Sequence, residues 1–396
     1  MEFKLSERVQ AIKPSPTLAV TARAAELRAQ GRDIIGLGAG EPDFDTPEHV
    51  KDAAKAGLDR GFTKYTPVDG IPALKDAIVA KLQRDNGLEY RAPQILVSCG
   101  AKHSLFNLTQ ALLQAGDEVV IPAPYWVSYP DMVLLAGARP VIVEAGIESG
   151  FKIRPDQLAA AITSRTRLLI LNSPSNPTGV CYTRAELAAL GAVLTDHPQV
   201  TVVSDDIYEH ILWADEPFAN ILNACPDLQD RAVVVNGMSK AYAMTGWRLG
   251  YAAAPEPLIK AMKKIQGQST SNPTSFAQLG GAEALNGDQQ CVRDMVKVFK
   301  ERHDYVVGRL NRGNGVRCLP AQGAFYAFPD VRGAIAGLDG VDDDLQLAEY
   351  LIEKAGVALV PGTAFGAPGY VRLSFATSME NLEKALDRLD KVFGTS

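Results

Sequence analysis

The stretch Val233-Val234-Val235-Asn236-Gly237-Met238-Ser239-Lys240-Ala241-Tyr242-Ala243-Met244-Thr245-Gly246-Trp247-Arg248-Leu249-Gly250 decides how this chain reads. An apolar, β-branched run ends in a polar turn that carries a single lysine. An arginine follows after a Gly-Trp step, and a second apolar run begins at Leu249. A lysine held just past a buried strand is poised to form a Schiff base with a carbonyl compound. An arginine beside it can hold that compound's anionic group.

Outward from this stretch, short apolar runs alternate with helical patterns. Strands are expected at Ile95–Ser98, Glu118–Ile121, Arg139–Val143, Leu168–Asn172, Val200–Ser204, Ala232–Asn236 and Leu249–Ala253. Several are apolar on both alternating faces, as strands covered on both sides must be. Helical periodicity fills Lys102–Leu113, Pro130–Leu135, Arg184–Thr195 and Pro257–Ile265. Alternation of this kind predicts an α/β fold: a large domain with a mainly parallel seven-stranded sheet flanked by helices. After Leu285 the texture changes. Cys291–Leu310 reads as a long charged helix. Strand-like pieces at Gly323–Phe328, Val357–Val360 and Val371–Ser374 then alternate with helices at Asp344–Lys354 and Met379–Phe393. The expected division is a large domain over residues 46–285 and a smaller α+β domain built from both chain ends, 1–45 and 286–396.

Composition narrows the function class. The 396 residues are 46% hydrophobic and 22% charged, ordinary for a globular protein with a large core. A net charge of −6, with no basic patch, gives no reason to expect a nucleic-acid partner. Five cysteines without close pairing argue against a disulfide framework, and no histidine stands at metal-ligand spacing from another, so no metal site is expected. The N-terminal residues lack the apolar core of a signal peptide. No run approaches the ~18 apolar residues of a membrane span. A cytoplasmic enzyme with no membrane partner is the expectation.

In open parallel sheets, ligands sit beyond the carboxyl ends of the strands. Those ends carry a coherent set. Ser98-Cys99-Gly100-Ala101-Lys102 opens a helix whose free N–H groups suit an anion. Trp126 follows the second strand and can stack on a flat ring. Asn176 sits in a loop shaped by Pro174, Pro177 and Gly179. Asp205 ends an apolar strand, placed to pair with a protonated ring nitrogen, and Tyr208 can reach a ring oxygen. Arg372 lies within a late strand and can fork onto a carboxylate. Taken singly, each has an ordinary explanation: a surface lysine, a helix-capping acid, a core aromatic, a salt-bridge arginine. As a set they supply an amine, an acid, a phosphate cradle and a carboxylate clamp, which suits pyridoxal 5′-phosphate.

These residues closely resemble those of the class I aminotransferases, the aspartate aminotransferase family of fold-type I pyridoxal phosphate enzymes. The likeness runs from Lys13-Pro14-Ser15-Pro16-Thr17 through Ala39-Gly40-Glu41-Pro42-Asp43-Phe44 and the Asn176-Pro177-Thr178-Gly179 turn to Val371-Arg372-Leu373-Ser374. The resemblance implies roles. Lys240 would be the Schiff-base lysine and proton shuttle, Asp205 the partner of the ring nitrogen, and Tyr208 and Asn176 the partners of the ring oxygen. Trp126 would stack on the ring. Arg248 and the amides of Gly100, Ala101 and Lys102 would hold the phosphate. Arg372, Asn176, Trp126 and the backbone of Gly40 would bind the substrate's α-carboxylate end. Tyr65 would reach the phosphate of a neighbouring subunit, which implies a homodimer with shared sites. Pro124 and Pro177 match positions that are often cis.

The chain departs from the family in places. Gly237 stands where some members have a phosphate-binding serine. Gly267 lies near the place where other members carry an arginine for the side-chain carboxylate. The resemblance is instead to a bacterial subgroup, aspartate/prephenate aminotransferase-like, in which a lysine at Lys102 takes that carboxylate, helped by Ser15 and Thr17. His103 replaces that subgroup's usual glutamine. The implied activity is amino transfer from L-aspartate to 2-oxoglutarate, with a lid-like N-terminal segment. Prephenate, aromatic or aliphatic substrates are the alternative. A pyridoxal phosphate lyase and a non-catalytic regulator are more distant ones.

Overall fold

A computed structural model describes residues 3–395. Strand β1 (Ile35–Gly36) comes first. The main sheet follows with β2 (Ile95–Ser98), β3 (Glu118–Ala123), β4 (Arg139–Glu144), β5 (Thr166–Asn172), β6 (Thr201–Asp205), β7 (Ala232–Gly237) and β8 (Gly250–Ala253). Its spatial order is β2-β8-β7-β6-β5-β3-β4. Strand β8 runs antiparallel to both of its neighbours and the other pairings are parallel. The mainly parallel seven-stranded sheet is the one expected, with strand ends shifted by a residue or two.

Helices cover the sheet, so its strands are apolar on both faces. Val202, Val234, Leu169 and Val97 face one core; Val203, Val233, Val235 and Leu168 face the other. Because β2 and β7 are both antiparallel to β8, they point the same way as β3, β5 and β6. The turns carrying Cys99, Trp126, Asn176, Asp205 and Lys240 therefore all emerge at one edge.

The C-terminal part holds β9 (Tyr326–Ala327), β10 (Val357–Ala358), β11 (Val360–Pro361) and β12 (Val371–Ser374), with β11-β12-β9 forming an antiparallel sheet. The expected strand at Gly323–Phe328 forms a ladder only over Tyr326–Ala327. The expected Val357–Val360 strand splits in two: β10 pairs in parallel with β1, and β11 pairs with β12. The helix expected at Asp344–Lys354 is α-helical over Asp344–Tyr350 and then widens to a π turn, Leu351–Ala355. Gly356 ends it in the left-handed region. The helix Pro16–Ala29 lays Ala24 and Leu27 against Ile34, Ile352 and Ala358, so both chain ends share one apolar cluster. All five cysteines are free, two of them buried and three partly exposed. No helix among the described residues is long and apolar enough to cross a membrane.

Candidate active site

The carboxyl edge of the main sheet forms the floor of a cavity of about 410 Å³. It is lined by Lys240, Asp205, Tyr208, Asn176, Trp126, Ala101, Lys102, Arg248 and Arg372. Gly40, Ser15 and Thr17 join them from the N-terminal segment. Residues from both ends and the middle of the sequence thus meet in one space. Tyr65 does not: it is 92% exposed and lies outside the cavity of its own chain.

Lys240 projects from the turn after β7, and its Nζ donates to the carbonyl oxygen of Gly40. Burial, with the positive charge of Arg372 next in size, pulls its amine down to about 8. Asp205, at the end of β6, is fully enclosed. Burial pushes its carboxyl up to about 6, against hydrogen bonds that favour the ion. The strongest of those comes from Tyr129, whose hydroxyl donates to Asp205 Oδ2 at 2.6 Å. The β5–β6 register sets Asn172 opposite Asp205, and Asn172 Nδ2 donates to the Asp205 carbonyl at 2.8 Å.

The anion corner is built by close backbone packing. Gly100 has φ +88°, and a Cβ there would lie 2.5 Å from Arg248 Nη2. Its contribution is to let Arg248 in; Ala101 and Lys102, not Gly100, line the cavity. Arg248 itself sits in the left-handed region at φ 56°, and its Nη1 donates to the Thr245 carbonyl at 2.7 Å. Across the β7–β8 ladder Gly237 pairs with Gly250. A Cβ on Gly250 would come 2.1 Å from the Ala101 nitrogen, and one on Gly237 would come 2.8 Å from the Leu249 oxygen. A side chain at Gly237 would therefore press on the backbone of this hairpin.

Arg372 on β12 is buried. Its Nη1 donates to Asn176 Oδ1 at 2.8 Å and its Nη2 to the Gly38 carbonyl at 2.6 Å. Its Nε has no partner among the described residues. Lys102 has no carboxylate partner among them either. Its Nζ lies 4.9 Å from the centre of the Trp126 ring, and burial lowers its pKa. His103 accepts the Cys99 N–H at 3.3 Å and meets Ser269 Oγ at 3.4 Å, so it ties its own helix start to the end of the helix Glu256–Gly267. A Cβ at Gly267 would meet nothing within 4 Å. The bonds before Pro124 and Pro177 are cis, as is the one before Pro174.

A protein with this edge of sheet and this cluster has recognisable relatives. The sequence profile described as aminotransferase class I and II matches residues 32–389. The chain belongs to that family. It is 58% identical to an aspartate/prephenate aminotransferase of Nitrosomonas europaea, over 98% of this chain and 99% of that one. It is 50% identical to an aspartate aminotransferase of Geobacillus stearothermophilus, over 98% of each. Among solved structures it resembles an aspartate aminotransferase from Rhizobium meliloti, with a TM-score of 0.96 and 45% identity over the whole of both chains. It also resembles the aspartate aminotransferase from Thermus thermophilus with maleate, with a TM-score of 0.92, 46% identity, and 99% and 100% coverage.

Membership of the class I and II aminotransferases implies pyridoxal phosphate, and the cavity's donor set fits it. A desolvated amine, an enclosed carboxyl and an arginine beside a helix start face one space. Sequence reasoning missed Tyr129, Tyr326, Asn172 and the Gly38 carbonyl. Tyr129 had a signal, since it falls one helical turn after Trp126, and the two rings meet edge-to-face at 5.4 Å. Tyr326 had none, because β9 must first pair with β12 to bring it in.

Proposed function

We propose that this aminotransferase moves the amino group of L-aspartate to 2-oxoglutarate, giving oxaloacetate and L-glutamate. The observation that carries the reading is the presence of two cations besides the Arg248 of the anion corner, Arg372 and Lys102, in the same cavity as the Lys240 amine and the Asp205 carboxyl. A dicarboxylate needs two cationic clamps; a monocarboxylic amino acid needs one.

Lys240, Asp205, Tyr208, Asn176, Trp126, Arg248 and the amides of Ala101 and Lys102 are the residues to hold pyridoxal phosphate; the Gly100 N–H, expected to join them, is taken by the Ser98 carbonyl at 2.7 Å. When bound, that cofactor supplies an electron sink for bond breaking at the substrate's α-carbon. Asp205, buried and hydrogen-bonded by Tyr129, keeps a positive partner protonated, because in a desolvated site a cation adds to what those hydrogen bonds already give the ionised acid. Burial pulls the Lys240 amine down to about 8, which gives it a neutral fraction at physiological pH that an ordinary lysine lacks, so its Nζ can take the α-proton and return it. Arg372 and Asn176, with the Gly40 backbone, orient the α-carboxylate. Lys102, with Ser15 and Thr17, receives the side-chain carboxylate. Ser15 and Thr17 sit at the start of the helix Pro16–Ala29, and a shift of that segment would exclude water and strengthen both clamps.

The same reading makes residues 46–285 the larger domain and the two chain ends the smaller. It also makes the protein a cytoplasmic homodimer in which the exposed Tyr65 completes the neighbour's anion site. Visible absorbance before and after L-aspartate, without an acceptor, tests the activity. The chromophore should shift and then return when 2-oxoglutarate is added; a chromophore unmoved by aspartate would overturn the aspartate assignment. Prephenate is the second reading, supported by the name of the Nitrosomonas relative. It has the same two-carboxylate pattern but, as a 2-oxo acid, takes the acceptor's place, so the rates with prephenate and with 2-oxoglutarate as acceptor separate the readings.

A further inference from the structure

Two buried side chains that the proposed activity uses, Tyr208 and Arg372, and the half-buried backbone of Gly40 converge on one residue with no assigned part in it. The hydroxyls of Tyr208 and Tyr326 are 2.8 Å apart. The Arg372 guanidinium lies over the Tyr326 ring, 4.5 Å from its centre. A Cβ at Gly40 would stand 2.8 Å from the Tyr326 hydroxyl, so only a glycine leaves room for it. The strand pairing explains the arrangement. Tyr326 on β9 lies opposite Ser374 on β12, and Arg372 is the diagonal neighbour on the same face.

Each tyrosine hydroxyl has one proton, and between them only one is used in the shared hydrogen bond. If Tyr208 donates, its proton is not available to the cavity. If Tyr326 donates, the Tyr208 proton is free to point at a ring oxygen. The guanidinium over the Tyr326 ring favours the second polarity, because a nearby cation makes a phenol the better donor. The charged and titratable groups that bear on Tyr326 are Arg372 and Tyr208; those on Tyr208 are Tyr326, Arg372 and Asp205, whose negative charge makes Tyr208 the poorer donor of the two. Those that bear on Lys240 are Arg372, Glu41, Arg248 and Asp205.

We infer that Tyr326 is a positioning residue with two separable parts: its hydroxyl turns the Tyr208 proton toward the cofactor's ring oxygen, and its ring supports the Arg372 carboxylate clamp. The inference rests on the cofactor reading above. A hydroxyl donating to the ring oxygen draws off negative charge that would otherwise hold the proton on Lys240 Nζ. Weakening that donor therefore raises the pH at which this proton is lost.

Two substitutions separate the parts. Tyr326→Phe keeps the ring and removes only the hydroxyl. The pH midpoint of the holoenzyme's visible absorbance should rise by about 0.5 unit, the effect of one weakened hydrogen bond. Its Kd for maleate, an unreactive dicarboxylate, should stay within about twofold of the wild-type value. Tyr326→Leu removes both parts. It should raise the midpoint similarly and weaken maleate about tenfold. An unmoved midpoint in Tyr326→Phe overturns the role of the hydroxyl. Unchanged maleate binding in Tyr326→Leu overturns the role of the ring. A wild-type holoenzyme with no pH-dependent chromophore would instead defeat the cofactor reading, and the inference with it.

Discussion

The hydroxyl of Tyr129 donates to Asp205 Oδ2 at 2.6 Å, and both side chains are buried in the cavity wall. The bond opposes the burial that pushes the Asp205 carboxyl up to about 6. It is the strongest of the interactions within the protein that favour the ionised acid.

Removing this donor should weaken the hold on the cofactor. Tyr129→Phe leaves the ring packed against Trp126 and deletes one charge-assisted bond. Such bonds are worth about 1.5–3 kcal/mol, so pyridoxal phosphate should dissociate roughly tenfold to a hundredfold more readily. Equilibrium dialysis of the two holoenzymes measures this, and equal affinities would remove Tyr129 from the account.

The apoenzyme should gain more from cofactor at pH 8 than at pH 5. The folded-state pKa of Asp205 is raised, so its contribution to stability is full below the unfolded pKa and lost as pH rises through about 6. The folded-state pKa of Lys240 is lowered to about 8, so its penalty is present below that pH. Above pH 6 the apoprotein therefore buries a carboxylate that is hydrogen-bonded by Tyr129 but in no ion pair, at a cost on the order of 3 kcal/mol. Pairing that carboxylate with a cationic ring removes the cost. Thermal unfolding with and without pyridoxal phosphate at the two pH values should show the larger rise in Tm at pH 8.

Lys102→Ala should discriminate among substrates. Aspartate should lose about 10- to 100-fold in kcat/KM, since one carboxylate loses its cation. Alanine and phenylalanine should change little. Equal losses for all three would show that Lys102 serves the cofactor alone.

Gly237→Ser, which restores the residue of other family members, should destabilise this chain. The new Cβ would press on the Leu249 carbonyl and Gly250 Cα at 2.8 and 2.9 Å. Overpacking of this kind costs about 1–3 kcal/mol. A fall in the Tm of the variant checks it, and a Tm equal to wild type would mean that the hairpin yields.

The sheet was legible because its strands declare themselves locally. Runs such as Leu168–Leu171 and Val233–Val235 are apolar on both faces, and only a strand covered on both sides accommodates that. The strand-end residues Lys240, Asp205 and Asn176 were legible for a related reason: parallel strands deliver their carboxyl ends to one edge, so chain order already predicts a meeting place. Arg372 was legible as a strand-borne arginine that can fork onto a carboxylate, and Lys102 as a carboxylate partner only through the family resemblance. The sequence by itself thus determined the fold class, the chemistry available and the family.

The tertiary structure alone decided what surrounds those groups. Tyr326 reaches Arg372 and Tyr208 only because β9 pairs with β12, a register that no local pattern encodes. The splitting of Val357–Val360 into β10 and β11 likewise depends on β1, which comes from the far end of the chain. Gly237, Gly250 and Gly100 look like flexible turn residues until the hairpin, the helix start and Arg248 are packed against them. The pKa values of Asp205 and Lys240 belong to this second class as well. They are set by the removal of water and by groups distant in sequence, such as Arg372 and Glu41 for Lys240 and Tyr129 for Asp205, and both effects exist only once the chain has folded.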